Sequence, residues 1–325
     1  MSDGPLLEAR GLHVRFRGRG GLVTRAVDGV DLEIRRGEVL ALVGESGCGK
    51  TTLARALLGL ERPAQGEVRF QGEPIRYDQR FLRSYRRQVQ IVFQDPSGAL
   101  NPRQTVYEAV AEGIRIQRLA GDEERRVAAA LARSGLRPPE RYFSLYPYEL
   151  SGGQRQRVVI AGAMALEPAV LVADEPVSSL DASVRGEILA LMLDLVREAG
   201  VTILLVTHDL GLAWTVADRI AVMYLGRIVE EAPTEELLSR PRHPYARALL
   251  SVVAESGGTA PEILVGEAPD PARIPPGCRF HPRCPLLASG EAARLGIEER
   301  CRAQDLVLAP VRGGAAGHSA ACHAL

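Results

Sequence analysis

The chain has 325 residues, 46% hydrophobic and 25% charged, with 40 basic residues balanced by 40 acidic ones. That length calls for two domains or one domain with an appendage, and the even charge excludes a global field that would gather nucleic acid or anionic lipid. No apolar run approaches the roughly 18 residues of a membrane span, and Met1-Ser2-Asp3-Gly4-Pro5 has the look of no export signal. A cytosolic protein is expected, reaching any membrane through a partner.

In chain order, Leu6 to Arg17, Ala26 to Ile34 and Gly66 to Phe70 read as short strands with polar interruptions. The arginine groups Arg15, Arg17, Arg19 and Arg83, Arg86, Arg87 read as solvated faces. Glu38 to Val43 is an apolar strand that runs into Gly44-Glu45-Ser46-Gly47-Cys48-Gly49-Lys50-Thr51-Thr52, and Thr51 to Leu60 reads as the helix behind it. This is the phosphate-loop pattern Gly-x-x-x-x-Gly-Lys-Ser/Thr in its required strand, loop and helix context. Lys50 is the one lysine among 40 basic residues. Arginine carries a wide planar fork, whereas lysine is a compact charge on a thin stem that can thread between phosphate oxygens. A glycine-rich turn that ends by chance in Lys-Thr is the poorer alternative. A nucleoside triphosphate is the expected ligand, and of Cys48 only the backbone amide should matter.

Gln90 to Phe93 is a further strand, ended by Asp95-Pro96. From Thr105 to about Leu166 the pattern turns helical, with breaks at Pro138-Pro139 and Pro147. Ala169 to Ala173 and Thr202 to Val206 are continuous apolar runs, as buried parallel strands are. Between them Ile188, Leu189, Met192, Leu195 and Val196 fall on one helical face. Strands alternating with helices predict an α/β fold with a mostly parallel sheet covered on both faces. After about Arg240 prolines crowd the chain (Pro241, Pro244, Pro261, Pro269, Pro271, Pro275, Pro276) and four of the five cysteines appear. A domain at 1–240 followed by a small loop-rich, cysteine-containing module at 241–325 is expected.

Val170-Leu171-Val172-Ala173-Asp174-Glu175 is an apolar strand ending in two carboxylates. Asp174 can reach a magnesium ion held by Thr51, and Glu175 is placed to take a proton from an attacking water. Two acids that merely cap a strand are the weaker reading. Leu150-Ser151-Gly152-Gly153-Gln154 offers backbone N–H groups, a hydroxyl and a positive helix end to an anion. With this pentapeptide, residues 6–240 resemble the ATP-binding-cassette (ABC) ATPases. The resemblance implies a nucleotide-binding domain with an antiparallel β subdomain and a helical signature subdomain at about 95–165. It makes Gln94 the Q-loop glutamine, Ser179-Leu180-Asp181 the D-loop and His208 the switch histidine. Phe16 becomes the aromatic on which adenine stacks, with a core aromatic as the alternative. ATP and Mg2+ are the implied cofactors, with Thr51, Gln94 and Asp174 at the metal. Two such subunits pair head to tail, so Ser151, Gly153 and Gln154 would complete the partner's site.

Phe93-Gln94-Asp95-Pro96 with Ala99-Leu100-Asn101-Pro102-Arg103, then Arg242-His243-Pro244-Tyr245, and then Pro275 to Pro285 with Ala321-Cys322-His323 narrow the class. They resemble the ATPases of dipeptide and oligopeptide importers, especially the second of the paired subunits. The implied protein hydrolyses ATP to drive peptide import from the cytoplasmic side of the cell membrane. Its implied partners are a related, non-identical ATPase, two transmembrane permease subunits and, indirectly, an extracytoplasmic peptide-binding protein, with no nucleic acid. An importer of nickel or another small solute is the alternative. Ser97-Gly98 departs from the bulkier residue usual after Gln-Asp-Pro, and Cys301 lies farther from Cys284 than the pattern has it. For Cys278, Cys284, Cys301 and Cys322, disulfides are disfavoured in the cytosol. Zinc lacks its usual close cysteine pair, although His281, His318 or His323 could fill in. The resemblance implies a 4Fe–4S cluster.

Replacing Lys50 by arginine keeps the charge but not the thin stem. Lys50→Arg is expected to slow ATP turnover on the order of 100-fold or more, with Lys50→Ala at least as damaging. Steady-state ATPase rates of the assembled protein test this, and near-normal turnover by Lys50→Arg would remove the assignment.

Overall fold

The computed structural model describes residues 4–18, 21–253, 264 and 266–325; Met1 to Asp3, Arg19 and Pro261, cited above, lie outside them. The chain forms two compact units, each assembled from separated stretches. The first comprises Met1–Leu6, Ile34–Val39 and Glu73–Val206, the second Leu7–Glu33, Leu40–Gly72 and Thr207–Leu325.

In the first unit, the strands Val89–Val92, Val170–Asp174 and Thr202–Thr207 run parallel, with Val170 paired to Val89 on one side and Thr202 on the other. Val170 to Ala173 and all of Thr202–Thr207 are buried. Strands covered on both faces lose polar alternation, which is why these two read as apolar runs. The helix Ala182–Ala199 buries Ile188, Leu191, Met192 and Leu195, an i, i+3, i+4, i+7 stripe. Leu189 and Val196, expected on that face, sit half-buried at its margins, and Leu191 belongs there instead. Gly200, at φ 66°, ends the helix in the left-handed conformation.

The helical stretch of this unit has its own core. The helix Val106–Gln117 starts at a capping box of Thr105 and Glu108, Glu123–Arg133 starts behind Asp122, and Gly152–Met164 behind Ser151. Their inner faces bring Val106, Val110, Val127, Leu131 and Val158 together, all buried. The proline breaks are short 3-10 turns, Pro139–Arg141 and Pro147–Glu149, where the missing N–H costs nothing.

In the second unit, Leu7–Arg17 lies between Val23–Ile34 and Gln65–Phe70, antiparallel to the latter. Five further strands follow in the order Ala309–Pro310, Ser319–Ala320, Arg227–Pro233, Arg219–Tyr224 and Val39–Val43. Their pairings are antiparallel except the last, in which Leu40 to Val43 run parallel to Arg219 to Val222. Buried charge disguises the strand Arg227–Pro233 in the sequence. Glu231 pairs with Arg219. Glu230 is fully buried and accepts from the N–H groups of Arg242 and His243, both at 2.7 Å, and from His318 Nε2 at 2.8 Å. Burial pushes the Glu230 carboxyl above its ordinary range, and these donors pull against it.

Residues beyond 240 are loop-rich, with short helices Pro285–Ala288, Glu291–Arg294 and Glu298–Ala303 around a small core of Ala292, Ile297 and Cys301. They are nonetheless tied to the strands of their unit. Ser319–Ala320 pairs with Glu230 and Glu231, and His318 just before it enters the Glu230 network. A ring cluster adds to this: Tyr224 and Tyr245 centroids lie 4.7 Å apart, and Phe280 stands 5.2 and 5.3 Å from them. Arg279, beside Phe280, forms a buried pair with Asp28.

Glu230→Ala leaves two backbone donors and the buried Nε2 of His318 unpaired. A loss of about 3 kcal/mol is expected in urea unfolding, together with faster proteolysis of residues 309–325 in the native state. An unchanged unfolding midpoint would show that the network holds nothing.

Candidate active site

The strand Val39–Val43 delivers the chain to loop 44–49, and the helix Lys50–Leu57 begins behind Gly49 at φ 111°. Two of the loop glycines are dictated by close approach. A Cβ on Gly44 would stand 2.2 Å from the Met223 carbonyl oxygen, and one on Gly49 would stand 2.1 Å from that of Ala26. Lys50 is 6% exposed, and its Nζ donates to the carbonyls of Gly44 at 2.7 Å and Glu45 at 2.9 Å. The ammonium therefore lies inside its own loop. Cys48 is buried, and burial raises its thiol pKa, so the sulfur is an inert filler. Ser46, Gly47 and Thr51 are exposed and Thr52 half-buried.

Phe16 is 42% exposed near the end of Leu7–Arg17. It is not a core aromatic, and its ring is open to a stacking partner. His208 is exposed in the turn after Thr202–Thr207. Asp209 next to it caps the helix Leu210–Val216, accepting from the Leu212 N–H at 3.0 Å, and donates its own N–H to Thr207 Oγ1 at 3.0 Å. The turn is thus pinned on its C-terminal side.

In the first unit, Asp174 ends the strand Val170–Asp174 half-buried, and Glu175 follows at φ 47°. A left-handed backbone at a non-glycine carries strain that surrounding bonds must hold. The Glu175 N–H donates to the Val206 carbonyl at 2.8 Å, and the Glu175 carboxylate accepts from Gln94 Nε2 at 3.1 Å. Two motifs 81 residues apart thus meet in one hydrogen bond. Ser151 and Gln154 form a capping box, the Ser151 Oγ accepting from Gln154 N–H at 3.2 Å and Gln154 Oε1 from Ser151 N–H at 2.9 Å. Gly152 and Gly153 are left at the helix start, where N–H groups have no intrahelical acceptor. A Cβ on Gly153 would stand 2.6 Å from Val184 Cγ1, so packing also demands glycine there. Asp181 is the N-cap residue of Ala182–Ala199, but its side chain caps no N–H and is exposed.

The four late cysteines share one neighbourhood in the second unit. Burial pushes Cys278 up to about 12 and Cys322 to about 11, and raises Cys301; the charge of each neighbouring thiolate adds to the effect. Cys278 N–H donates to the Cys301 carbonyl at 2.9 Å. All are free thiols. Among the described residues no three His, Cys, Asp or Glu side chains close around a single metal position. His281 Nδ1 is bonded to the Cys278 carbonyl and His318 to Glu230 and Glu236, whereas His323 keeps a buried Nδ1 with no hydrogen-bond partner.

One set of contacts has no signal in the sequence. The Glu45 N–H donates to Tyr245 Oη at 2.9 Å, and its carboxylate takes both terminal nitrogens of Arg283, at 2.8 and 3.0 Å. The partners lie 200 and 238 residues away from Glu45, and no spacing rule links them.

Two family profiles match: the ABC transporter family over residues 27–178, and the oligopeptide/dipeptide transporter C-terminal region over 229–289. The oligopeptide transport ATP-binding protein AppF of Bacillus subtilis is 42% identical over 296 residues, which cover 86% of this chain and 89% of AppF. The chain belongs to the ATP-binding proteins of the oligopeptide/dipeptide ABC transporter family. The di/tripeptide transport ATP-binding protein DppF of Pseudomonas aeruginosa is 43% identical over 294 residues, 88% of this chain and 87% of DppF. Among solved structures, CbiO1 of Clostridium perfringens, part of an ABC transporter complex, matches with a TM-score of 0.66 and 34% identity over 73% of this chain and 92% of CbiO1. A dimeric ABC cassette in a post-hydrolysis state with ADP and phosphate matches with a TM-score of 0.63 and 30% identity, over 70% of this chain and 98% of that one. This ABC protein has the family's ATPase fold and is an ATPase.

Glu175→Gln keeps the shape of the side chain and removes its carboxylate. ATP binding is expected to persist while hydrolysis falls on the order of 100-fold or more. Equilibrium binding and single-turnover hydrolysis, measured side by side, separate the two. Hydrolysis at the parental rate would make Glu175 a strand cap.

Proposed function

We propose that this ABC ATPase powers the import of di- and oligopeptides, working as one half of a head-to-tail ATPase pair on membrane-embedded permease subunits. The observation that carries the reading is the joint presence, in one chain, of a complete cassette motif set and a C-terminal region matching the oligopeptide/dipeptide transporters. No described helix is long and apolar enough to cross a membrane, so transport calls for partner chains that do. The pair is read as two related, non-identical ATPases, with two permease subunits and an extracytoplasmic peptide-binding protein upstream. The cassette is assigned to residues 1–240 and the module to 241–325, at the cytoplasmic face of the membrane.

Each group has a role in this reading. The amides of Gly44, Ser46, Gly47, Cys48 and Gly49, with Lys50, Thr51 and Thr52, cradle the triphosphate, and Phe16 stacks on adenine. Thr51, Gln94 and Asp174 offer the hard oxygen donors that suit Mg2+, which when bound neutralises charge on the β- and γ-phosphates. Glu175 accepts the proton of the attacking water, its carboxylate oriented by Gln94, and His208 steadies the γ-phosphate. Ser151, Gly153 and Gln154 present a positive helix end to the partner's nucleotide, with Asp181 at the pair's contact. Gln94 and the segment to Arg103 carry the motion to the permease.

Cys278, Cys284, Cys301 and Cys322 are read as the ligands of a 4Fe–4S cluster, with zinc as the alternative. Among the described residues no group of three His, Cys, Asp or Glu side chains is arranged to hold a metal ion, so either metal would have to draw the thiols together on binding. The thiols still sense one another, and the orphaned His323 Nδ1 beside Cys322 is a buried polar atom that awaits a partner. Bound iron would supply a covalent staple to a segment with little core of its own.

The substrate class is tested in cells with the genomic copy changed to Glu175→Gln. Uptake of a labelled dipeptide or oligopeptide should fall to background with nickel uptake unchanged; the reverse pattern assigns the chain to a nickel importer. Protein purified without oxygen should carry about four irons per chain and lose its colour on any single Cys→Ser change. Stoichiometric zinc without iron or sulfide would overturn the cluster alone.

A further inference from the structure

We propose that Arg283 is a positioning residue for the phosphate loop: it cancels the charge of Glu45 and fixes its place, so the C-terminal module tunes nucleotide binding without touching nucleotide. The inference rests on reading residues 44–52 as the triphosphate site. Glu45 is the second residue of that loop, and every polar part of it is held. Its carboxylate meets the two terminal nitrogens of Arg283 at 2.8 and 3.0 Å, a bidentate fork. Its N–H goes to Tyr245 Oη at 2.9 Å, and its carbonyl accepts from Lys50 Nζ at 2.9 Å. The Cys48 N–H donates to the same carbonyl at 3.3 Å, and two of the four holders, Arg283 and Tyr245, come from beyond residue 240.

The electrostatics give this contact a purpose. A carboxylate in a loop built to receive a polyanion repels what the loop must bind, and in a partly buried place that repulsion is weakly screened. Arg283 is 8% exposed at its side chain and Glu45 30%, so the neutralising cation is permanent and well anchored. Its anchorage is independent of nucleotide. Arg283 ends the 3-10 turn His281–Arg283, whose preceding residue Phe280 is buried between Tyr224 and Tyr245, and Arg279 ties the same segment to Asp28. Cys284 follows Arg283 directly, and the His281 N–H is bonded to the Cys278 carbonyl at 2.9 Å. The thiol-bearing segment and the clamp are one piece of chain.

The test titrates the full-length chain with MgATP, MgADP and AMP. Arg283→Ala should weaken ATP binding about tenfold or more, ADP less, and AMP least, because the exposed Glu45 charge acts on phosphate. Adding Glu45→Gln to Arg283→Ala should recover most of the lost ATP affinity, which a role in folding alone would not do. Arg283→Lys should fall between the parent and Arg283→Ala. If Arg283→Ala does not fold, Arg283→Gln, uncharged and of similar reach, reads the same effect. Equal losses for ATP and AMP, no loss at all, or no recovery with Glu45→Gln would each overturn the clamp. Lys50→Ala separates the two levels: if it abolishes ATP binding while the Arg283 series stays flat, only the clamp fails. If Lys50→Ala binds ATP like the parent, the loop reading fails and takes the clamp with it.

Discussion

Two carbonyl oxygens, those of Met223 and Ala26, approach the phosphate loop so closely that Gly44 and Gly49 admit no Cβ. At those two positions the loop is shaped by backbone contact. Met223 lies on the strand Arg219–Tyr224, which pairs in parallel with Val39–Val43, and Ala26 lies on Val23–Ile34. The register of those strands sets the loop, and the loop sets where Lys50 is enclosed. A single methyl group at either glycine would have to displace a hydrogen-bonded strand, a far larger change than a surface loop usually suffers.

Charge organises the second unit as much as apolar packing does. Glu230 gathers His318, Arg242 and His243, Asp28 takes Arg279, and Glu45 takes Arg283. Burial alone would raise the Asp28 carboxyl, but the Arg279 bond, followed by His13 and Arg227, brings it below its ordinary value. Its contribution to stability is then present above pH about 3.8 and is lost as pH falls through the lowered value. Each of these acids lies in or beside the cassette, and each draws at least one partner from beyond residue 240. A module with a small core of its own is held to its unit by ion pairs and rings, which lets an Arg-rich and Pro-rich stretch remain loop-like yet ordered.

The cassette was legible because its chemistry needs residue types at fixed local spacing. The phosphate loop, the strand ending in Asp174 and Glu175, and the capping box at Ser151 are each written as residue types at close spacing, and buried parallel strands show as unbroken apolar runs. What stayed hidden depends on contacts that spacing cannot encode. The strand Arg227–Pro233 hides behind Glu230 and Glu231, whose burial only a folded partner set explains. Ser319–Ala320 is too short for any periodicity, and Leu191 replaces Leu189 because a helical stripe wider than one residue has no sharp edge. The Gln94–Glu175 bond and the Glu45–Arg283 pair join residues 81 and 238 positions apart.

The thiols add a last constraint. With Cys278 and Cys322 pushed to about 12 and 11, these half-buried sulfurs are protonated and uncharged near neutral pH when no metal is bound. Metal ligation would deprotonate them, so loading would release protons and weaken as pH falls. Because Cys278 and Cys284 bracket Arg279 and Arg283, the backbone that carries the thiols is the backbone that presents those arginines to Asp28 and Glu45. Ordering of the thiol segment and ordering of the phosphate-loop clamp are consequently coupled through covalent connectivity, at a separation of one residue for Arg283 and Cys284.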